Sequence, residues 1–298
     1  MRIAFFGCAD TLPGSPTRRA DAFEHDVQIA ALRAGFAGID ATVSAIDWRA
    51  PLAELIGYDL ALLGSAWDYT ARKREFLERL EALEAAGVIV CNPANVVRWN
   101  GDKVYLQQLA ALGAPSIPTL WPDDPAAADV LAAFDHFDCE RVVVKHRVGS
   151  GAVGQESFTR AAPPAPGWRL GQAGMIQPFL AAIQSEGEFS FIFVDGALSH
   201  ALIKRAAPGD YRIQSLYGGR EVAHTPSPAE HAAAAAVMAL LPFEAAPLYA
   251  RIDMVRGADG ALALIEAELI EPYLYPEQGP EFGRLLASAV CKKIERLR

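Results

Sequence analysis

Short apolar runs alternate with amphipathic stretches over the first hundred residues. Runs at Arg2 to Phe6, Thr42 to Trp48, Asp59 to Leu63 and Val88 to Cys91 predict strands, and Asp21 to Phe36 and Glu75 to Ala86 predict helices. That alternation reads as βαβ units around a parallel sheet. The turn after the first strand, Gly7 to Gly14, contains no Gly-x-Gly, so it lacks the glycines that let a backbone close onto a dinucleotide pyrophosphate. A small substrate, not NAD, is expected on this sheet. Asn92-Pro93 marks a break, and Asp102 to Leu112 reads as a capped helix stopped by Gly113 and Pro115, with Lys103 in its first turn. A new domain is expected near Val96.

Beyond it the pattern becomes one of hairpins with one or two helices. Strands are expected at Arg141 to Lys145, Met175 to Phe179, Phe189 to Val194, Leu198 to Lys204, Leu248 to Val255 and Leu262 to Ile270, with a packing helix at Pro228 to Leu241 and a surface loop at Ala162 to Gly167. Antiparallel α+β is the class this implies. Asp195-Gly196 and Asp259-Gly260 each suit a two-residue type I′ turn, which fixes the register of the strands around it.

With Asp259 and Gly260 as the loop, Asp253 faces Glu266 and Arg251 faces Glu268, all on one face. The other face is apolar: Ala250, Ile252 and Met254 against Ile265, Ala267 and Leu269. Two carboxylates about 5 Å apart repel by roughly 3 kcal/mol at an effective dielectric near 20. Only Arg251 is at hand to offset three acids, and a divalent cation with oxygen ligands would remove the problem. A solvated, merely solubilising face is the alternative, but Glu271 adds more acid than solubility requires. In the other hairpin the same arithmetic sets Glu188 opposite Ile203, leaving Lys204 only a diagonal neighbour of Glu188.

Composition narrows the class. The 298 residues are 52% hydrophobic and 21% charged with a net charge of -9, which excludes a disordered chain and argues against a general nucleic-acid binder. The longest uncharged apolar run, Ala232 to Phe243, is too short to span a bilayer, and the N-terminal run is too short for a signal peptide, so a cytoplasmic location is expected. Four isolated cysteines, Cys8, Cys91, Cys139 and Cys291, fit reduced thiols.

After the valine strand ending in Lys145, the loop reads Gly149-Ser150-Gly151-Ala152-Val153-Gly154. A Rossmann reading fails because prolines follow where a helix should start, and a Walker A reading fails because no Gly-Lys-Ser/Thr follows. What remains is a glycine-rich flap whose amides could cover phosphates beside Lys145.

The order Asn92-Pro93, Trp99-Asn100-x-Asp102-Lys103, Val144-Lys145, the glycine loop, Gln177-Pro178-Phe179, Gly187-Glu188, Arg251-x-Asp253 and Glu266-x-Glu268 resembles the ATP-grasp superfamily of carboxylate-amine ligases. Trp67-Asp68-Tyr69, Ser199-His200-Ala201, Tyr211-Arg212-x-Gln214 and Ile270-Glu271-Pro272 extend the resemblance to the RimK-type branch that includes the cycloserine biosynthesis ligase.

The resemblance implies an ATP-grasp fold, α/β plus α+β, with a Rossmann-like domain over residues 1–95 and α+β subdomains over 96–179 and 180–298 sandwiching ATP. Lys103 and Lys145 would hold phosphates under the flap of Gly149, Ser150, Gly151 and Gly154. Gln177, Pro178, Phe179 and Leu180 would form the adenine hinge, and Glu188 would bind ribose. Asp253, Glu266 and Glu268 match ligands of Mg²⁺, for which Mn²⁺ could substitute. Arg251 matches the arginine that meets the acyl phosphate, with Lys204 and Arg212 as further contacts. Two departures stand out: His146 where the superfamily commonly has proline, and Gly64 where relatives in this branch often have arginine.

The implied reaction passes through an acyl phosphate to an amide on a small amino-acid-like substrate, with ring closure as one form and small carboxylates and amines as partners, in a possible homodimer. A small-molecule kinase and an inactive nucleotide-binding regulator are the alternatives. No histidine is assigned a catalytic role.

Overall fold

The computed structural model describes residues 1–149, 154–206 and 218–297. The first unit runs β1 (Arg2–Gly7), α1 (Phe23–Gly35), β2 (Thr42–Asp47), α2 (Leu52–Leu55), β3 (Leu60–Leu62), α3 (Lys73–Ala85) and β4 (Ile89–Cys91). Its strands form one parallel sheet in the order β2-β1-β3-β4. β1 is buried from Ile3 to Gly7 without alternation, as expected of a strand covered on both faces. On α3, Phe76, Leu80 and Leu83 recur at helical spacing and face the sheet. Because β1 lies between β2 and β3, the loops leaving the carboxyl ends of β1 and β3 diverge and open a crevice at the switch point.

The chain continues through α4 (Ala94–Asn100), α5 (Tyr105–Ala111), α6 (Ala127–His136), β5 (Arg141–His146), β6 (Glu156–Thr159) and β7 (Gly174–Pro178). The strands pair antiparallel in the order β6-β5-β7, and Val142, Val144 and Ile176 pack on Val130, Ala133 and Phe134 of α6 in a core of their own. Sequence periodicity missed α4 and α6. α4 has only 7 residues behind a proline, without a side-chain cap, and α6 is alanine-rich and follows Pro122 and Pro125. Since α5 begins at Tyr105, Lys103 lies in the turn before the helix and not in its first turn.

The third sheet is antiparallel in the order β10-β9-β8-β11-β12. It is built from α7 (Ala182–Ser185), β8 (Glu188–Val194), β9 (Ala197–Arg205), β10 (Arg220–His224), α8 (Pro228–Ala239), β11 (Tyr249–Arg256), β12 (Leu262–Glu268) and α9 (Phe282–Leu297). Ser227 and Glu230 cap α8 reciprocally, with Pro228 in its first turn.

Both hairpins depart from simple arithmetic by a bulge. At Asp195-Gly196 both residues have positive φ, 49° and 78°, as a type I′ turn requires. A bulge at Ser199 then shifts the register, so Glu188 comes directly opposite Lys204 and not Ile203. In the β11/β12 hairpin only Gly260 has positive φ and Gly257 N donates to Ala261 O, so the loop has one residue more than a two-residue turn. A bulge at Ile265 restores the expected pairs, Asp253 with Glu266 and Arg251 with Glu268. Leu264 consequently takes the buried position expected for Ile265.

The faces of this sheet divide the molecule. Phe189, Phe191 and Phe193 of β8 with Ala250, Ile252 and Met254 of β11 pack against α5 and α8. On the opposite face Ile192, Val194, Leu202 and Tyr249 share a core with Ile3, Phe5 and Phe282, joining this sheet to the first unit. Glu188, Ser190, Lys204, Arg251 and Asp253 lie on that same face, where cover by the first unit ends. α9 closes this joint by crossing α1 through two glycines. A Cβ on Gly35 would lie 2.0 Å from the Gly283 carbonyl oxygen, and one on Gly283 2.1 Å from that of Ala31. Gly35→Ala is therefore expected to cost about 1–3 kcal/mol in urea unfolding, and an unchanged midpoint would contradict this packing.

Candidate active site

β11 and its neighbours concentrate charge on one buried face. Asp253 is 2% exposed and accepts from Arg251 Nε at 2.9 Å, from Lys204 Nζ at 3.3 Å and from the Ser190 hydroxyl. Burial alone would raise its pKa; Arg251 and then Lys204 reverse this and hold the carboxyl below its ordinary range. Lys204 also pairs with Glu188 at 2.5 Å. Burial and Arg251 oppose the charge of Lys204, but Asp253 and Glu188 outweigh them and raise its pKa. Arg251 reaches Glu268 as well and donates to the Tyr273 carbonyl at 2.9 Å. Burial, opposed by Arg251 and reinforced by Glu266 and Asp253, pushes Glu268 up to about 7.

Lys103 meets this face from the other side, 2.7 Å from Glu266, while its Nζ also donates to the Gly149 carbonyl at 2.8 Å. Lys145 makes no ion pair among the described residues. Burial lowers its pKa, with Lys103 adding and Glu266 opposing. Asp102 takes a bidentate pair from Arg147 at 2.8 and 3.0 Å, tying the root of the glycine loop to the turn that carries Lys103. Gly154 lies against the imidazole of His146. Ser150, Gly151 and Arg212 lie outside the described residues.

At the expected hinge, Gln177 pairs with Val143 and donates from its side chain to Thr119 Oγ1 at 2.9 Å. Pro178 ends β7, Phe179 N donates to the Arg141 carbonyl, the Arg141 guanidinium stacks 3.8 Å from the Phe179 ring, and Leu180 follows.

In the segment after β12, sequence reasoning singled out Ile270-Glu271-Pro272 but not the tyrosines that follow. Tyr275 places its ring 5.6 Å from Arg251 and 5.8 Å from Lys204. His200 fixes the segment: its Nε2–H donates to the carbonyls of Leu274 and Tyr275 at 3.1 Å, and Nδ1 accepts from Ser199. Ser190 was also missed, although strand alternation places it on the face of Glu188. Glu271 lies beside Glu268, and burial first, then Glu268, raises its pKa well above the ordinary value. In the crevice of the first unit, His25 Nδ1 and Ser65 Oγ are 2.6 Å apart. Gly64 beside them has φ 58°, and a Cβ there would lie 2.2 Å from the Phe6 carbonyl oxygen, so this backbone favours glycine over any larger residue.

The acids offer an all-oxygen donor set suited to a hard cation, but each is now held by a basic side chain. Among the described residues no group of 3 or more His, Cys, Asp or Glu converges as a ready-made metal cage. Phosphate oxygens would have to complete any coordination. Among the described residues no helix is long and apolar enough to cross a membrane.

A family model described as the N-terminal domain of D-cycloserine synthetase DcsG matches residues 3–92. The cycloserine biosynthesis protein DcsG of Streptomyces lavendulae is 31% identical over 270 residues, 85% of this chain and 89% of that protein. A crystal structure of D-cycloserine synthetase DcsG superposes with a TM-score of 0.82 at 24% identity, covering 98% of this chain and 99% of that one. The D-alanine–D-alanine ligase of Bacillus anthracis complexed with ATP superposes at 0.66 and 14% identity, covering 100% and 98%.

The crevice has a pH signature independent of any ligand. His25 is 1% exposed, its Nε2 lacks a hydrogen-bond partner among the described residues, and burial lowers its pKa to about 4. The unfolded chain, with His25 near 6.5, binds the proton more readily, so stability is full above pH 6.5 and falls toward pH 4. The stability difference between wild type and His25→Gln is expected to shift by about 3 kcal/mol against wild type between pH 7 and 4. Parallel curves in urea titrations would refute it.

Proposed function

Because the chain belongs to the family of the cycloserine biosynthesis protein DcsG and is an ATP-grasp ligase, we propose that it activates the carboxylate of a small amino-acid-like substrate as an acyl phosphate and closes an amide with an amine. The observation that carries this reading is the meeting of Arg251, Asp253, Glu266 and Glu268 on one face with Lys103 reaching Glu266 at 2.7 Å across the cleft.

Lys103 and Lys145 hold the ATP phosphates under the glycine loop, and the β7 exit near Gln177 to Leu180 receives the base. Asp253, Glu266 and Glu268 would hold Mg²⁺, which would supply positive charge to screen the phosphate oxygens. Arg251, aligned by Asp253 and the Tyr273 carbonyl, meets negative charge on the acyl carbonyl oxygen as the amine attacks. Glu188 is already engaged by Lys204, so binding ribose hydroxyls requires it to share that cation. No protein nucleophile is needed, since positioning and charge neutralisation supply the catalysis of phosphoryl transfer.

Glu266→Gln is expected to lower ADP release by about a thousandfold while circular dichroism and the melting midpoint stay near wild type. Asp253→Asn should abolish activity too, but it also strands Arg251 and Lys204 and should destabilise the fold. Wild-type turnover of Glu266→Gln in magnesium would refute the assignment. An ADP-release screen over amino acids and their ureido and hydroxamate derivatives, with product masses, identifies the substrate and separates ring closure from joining of two molecules.

A further inference from the structure

β12 is the outer strand of its sheet, yet its outer edge is not open. Leu264 N donates to the Pro115 carbonyl at 2.6 Å. Beyond it three buried side chains replace a neighbouring strand. The Tyr105 hydroxyl accepts from Ala267 N at 2.9 Å and donates to Ala267 O at 3.0 Å. Asn100 Nδ2 donates to the same carbonyl at 2.7 Å, and its Oδ1 accepts from Leu269 N at 3.0 Å. Asn92 Nδ2 donates to the Leu269 carbonyl at 2.7 Å. Tyr105 is 1% and Asn100 9% exposed, so water cannot replace these bonds.

Ala267 stands between Glu266 and Glu268, and Asn100 and Tyr105 stand on either side of Lys103. One short segment therefore grips the peptide between the two carboxylates while carrying the lysine that meets Glu266. The same segment is tied to the other half of the cleft, because Asp102 is clamped by Arg147 and Lys103 N donates to the Arg147 carbonyl at 3.0 Å. Edge strands are ordinarily protected by charge, proline or packing. None of those devices would fix the direction of a single peptide. We infer that Asn100 and Tyr105 are positioning residues that set the spacing between the phosphate lysine Lys103 and the carboxylates Glu266 and Glu268. This rests on the roles proposed above for Lys103 and the acids.

Tyr105→Phe leaves the ring against Trp99, whose centroid is 4.9 Å away, and removes only the hydroxyl. Binding of Mn²⁺ in the presence of a non-hydrolysable ATP analogue, read by electron paramagnetic resonance, is expected to weaken about tenfold, as does loss of a group that orients a metal ligand. Amide hydrogen exchange should accelerate at Ala267 and Leu269 but not in β8, and kcat should fall more than the KM for ATP rises. Asn100→Ser should give the same pattern, which keeps the test open if one variant folds poorly. Phe134→Leu, in the separate core under the three-stranded sheet, serves as a control that lowers the melting midpoint without altering Mn²⁺ binding. If both edge variants only melt earlier, with wild-type Mn²⁺ affinity and wild-type exchange at Ala267 and Leu269, the amides held by Tyr105 and Asn100, the inference is overturned. Failure of the wild type to bind Mn²⁺ with nucleotide would sink the proposed function instead, while the exchange measurement would still decide whether the edge is held.

Discussion

The buried carboxylate of Asp253 is the constraint around which the candidate site is arranged. An ion at 2% exposure survives only with partners, and here Arg251 supplies one from β11 itself, Ser190 one from the adjoining β8 and Lys204 one from β9 beyond it. Each partner needs the others: Lys204 is held by Asp253 and Glu188, and Arg251 by Asp253 and Glu268. Removing one member of such a group costs about 3–5 kcal/mol because a charge is left uncompensated, whereas an apolar replacement of the whole group could be neutral. The arrangement is thus poorly explained by stability. It fixes where one guanidinium and one ammonium stand.

The sheet explains why this cluster can be buried at all. Along β8 one face is phenylalanine throughout, while the other changes from Glu188 and Ser190 to Ile192 and Val194. The change coincides with the edge of the first unit, whose Ile3 and Phe5 cover the apolar half and leave the polar half facing the cleft. A single strand thereby serves as core and as site floor, and Tyr249 joins the two by donating to the carbonyls of Cys91 and Ile270. His200 extends the same logic, pinning the segment that covers Arg251 with a neutral ring.

Much of this was legible in the chain because alternation and turn residues are local signals. The parallel sheet follows from runs such as Ile3 to Phe6, and the pairing of Arg251 with Glu268 follows from the residues around Asp259-Gly260. That pairing came out right through two offsets: a loop one residue longer than expected and a bulge at Ile265 that cancels it. The single bulge at Ser199 had no such partner, so Glu188 and Lys204 were read as diagonal when they face each other at 2.5 Å. Bulges answer to tertiary fit, and nothing in Ser199-His200 announces one. Short helices such as α4, and side chains that bond a distant backbone, such as Tyr105 and Asn100, have no local signature either.

Charge complementarity links the unliganded cleft to the chemistry proposed for it. Lys103 is shared between Glu266 and the Gly149 carbonyl, while Lys145 has no ion-pair partner among the described residues and is less easily protonated than a solvated lysine. On the proposed reading, a triphosphate would offer both lysines a stronger partner than Lys103 finds in Glu266. Transfer of Lys103 to it would leave Glu266 and Glu268 facing new negative charge, which is unfavourable unless a cation arrives with the nucleotide. Asp253 is different, since Arg251 and Lys204 keep it paired whatever Lys103 does. The cleft therefore divides its acids by partner: Asp253 and Glu268 stay with Arg251, which they align, while Glu266 is held by Lys103, the partner that an incoming anion would compete for.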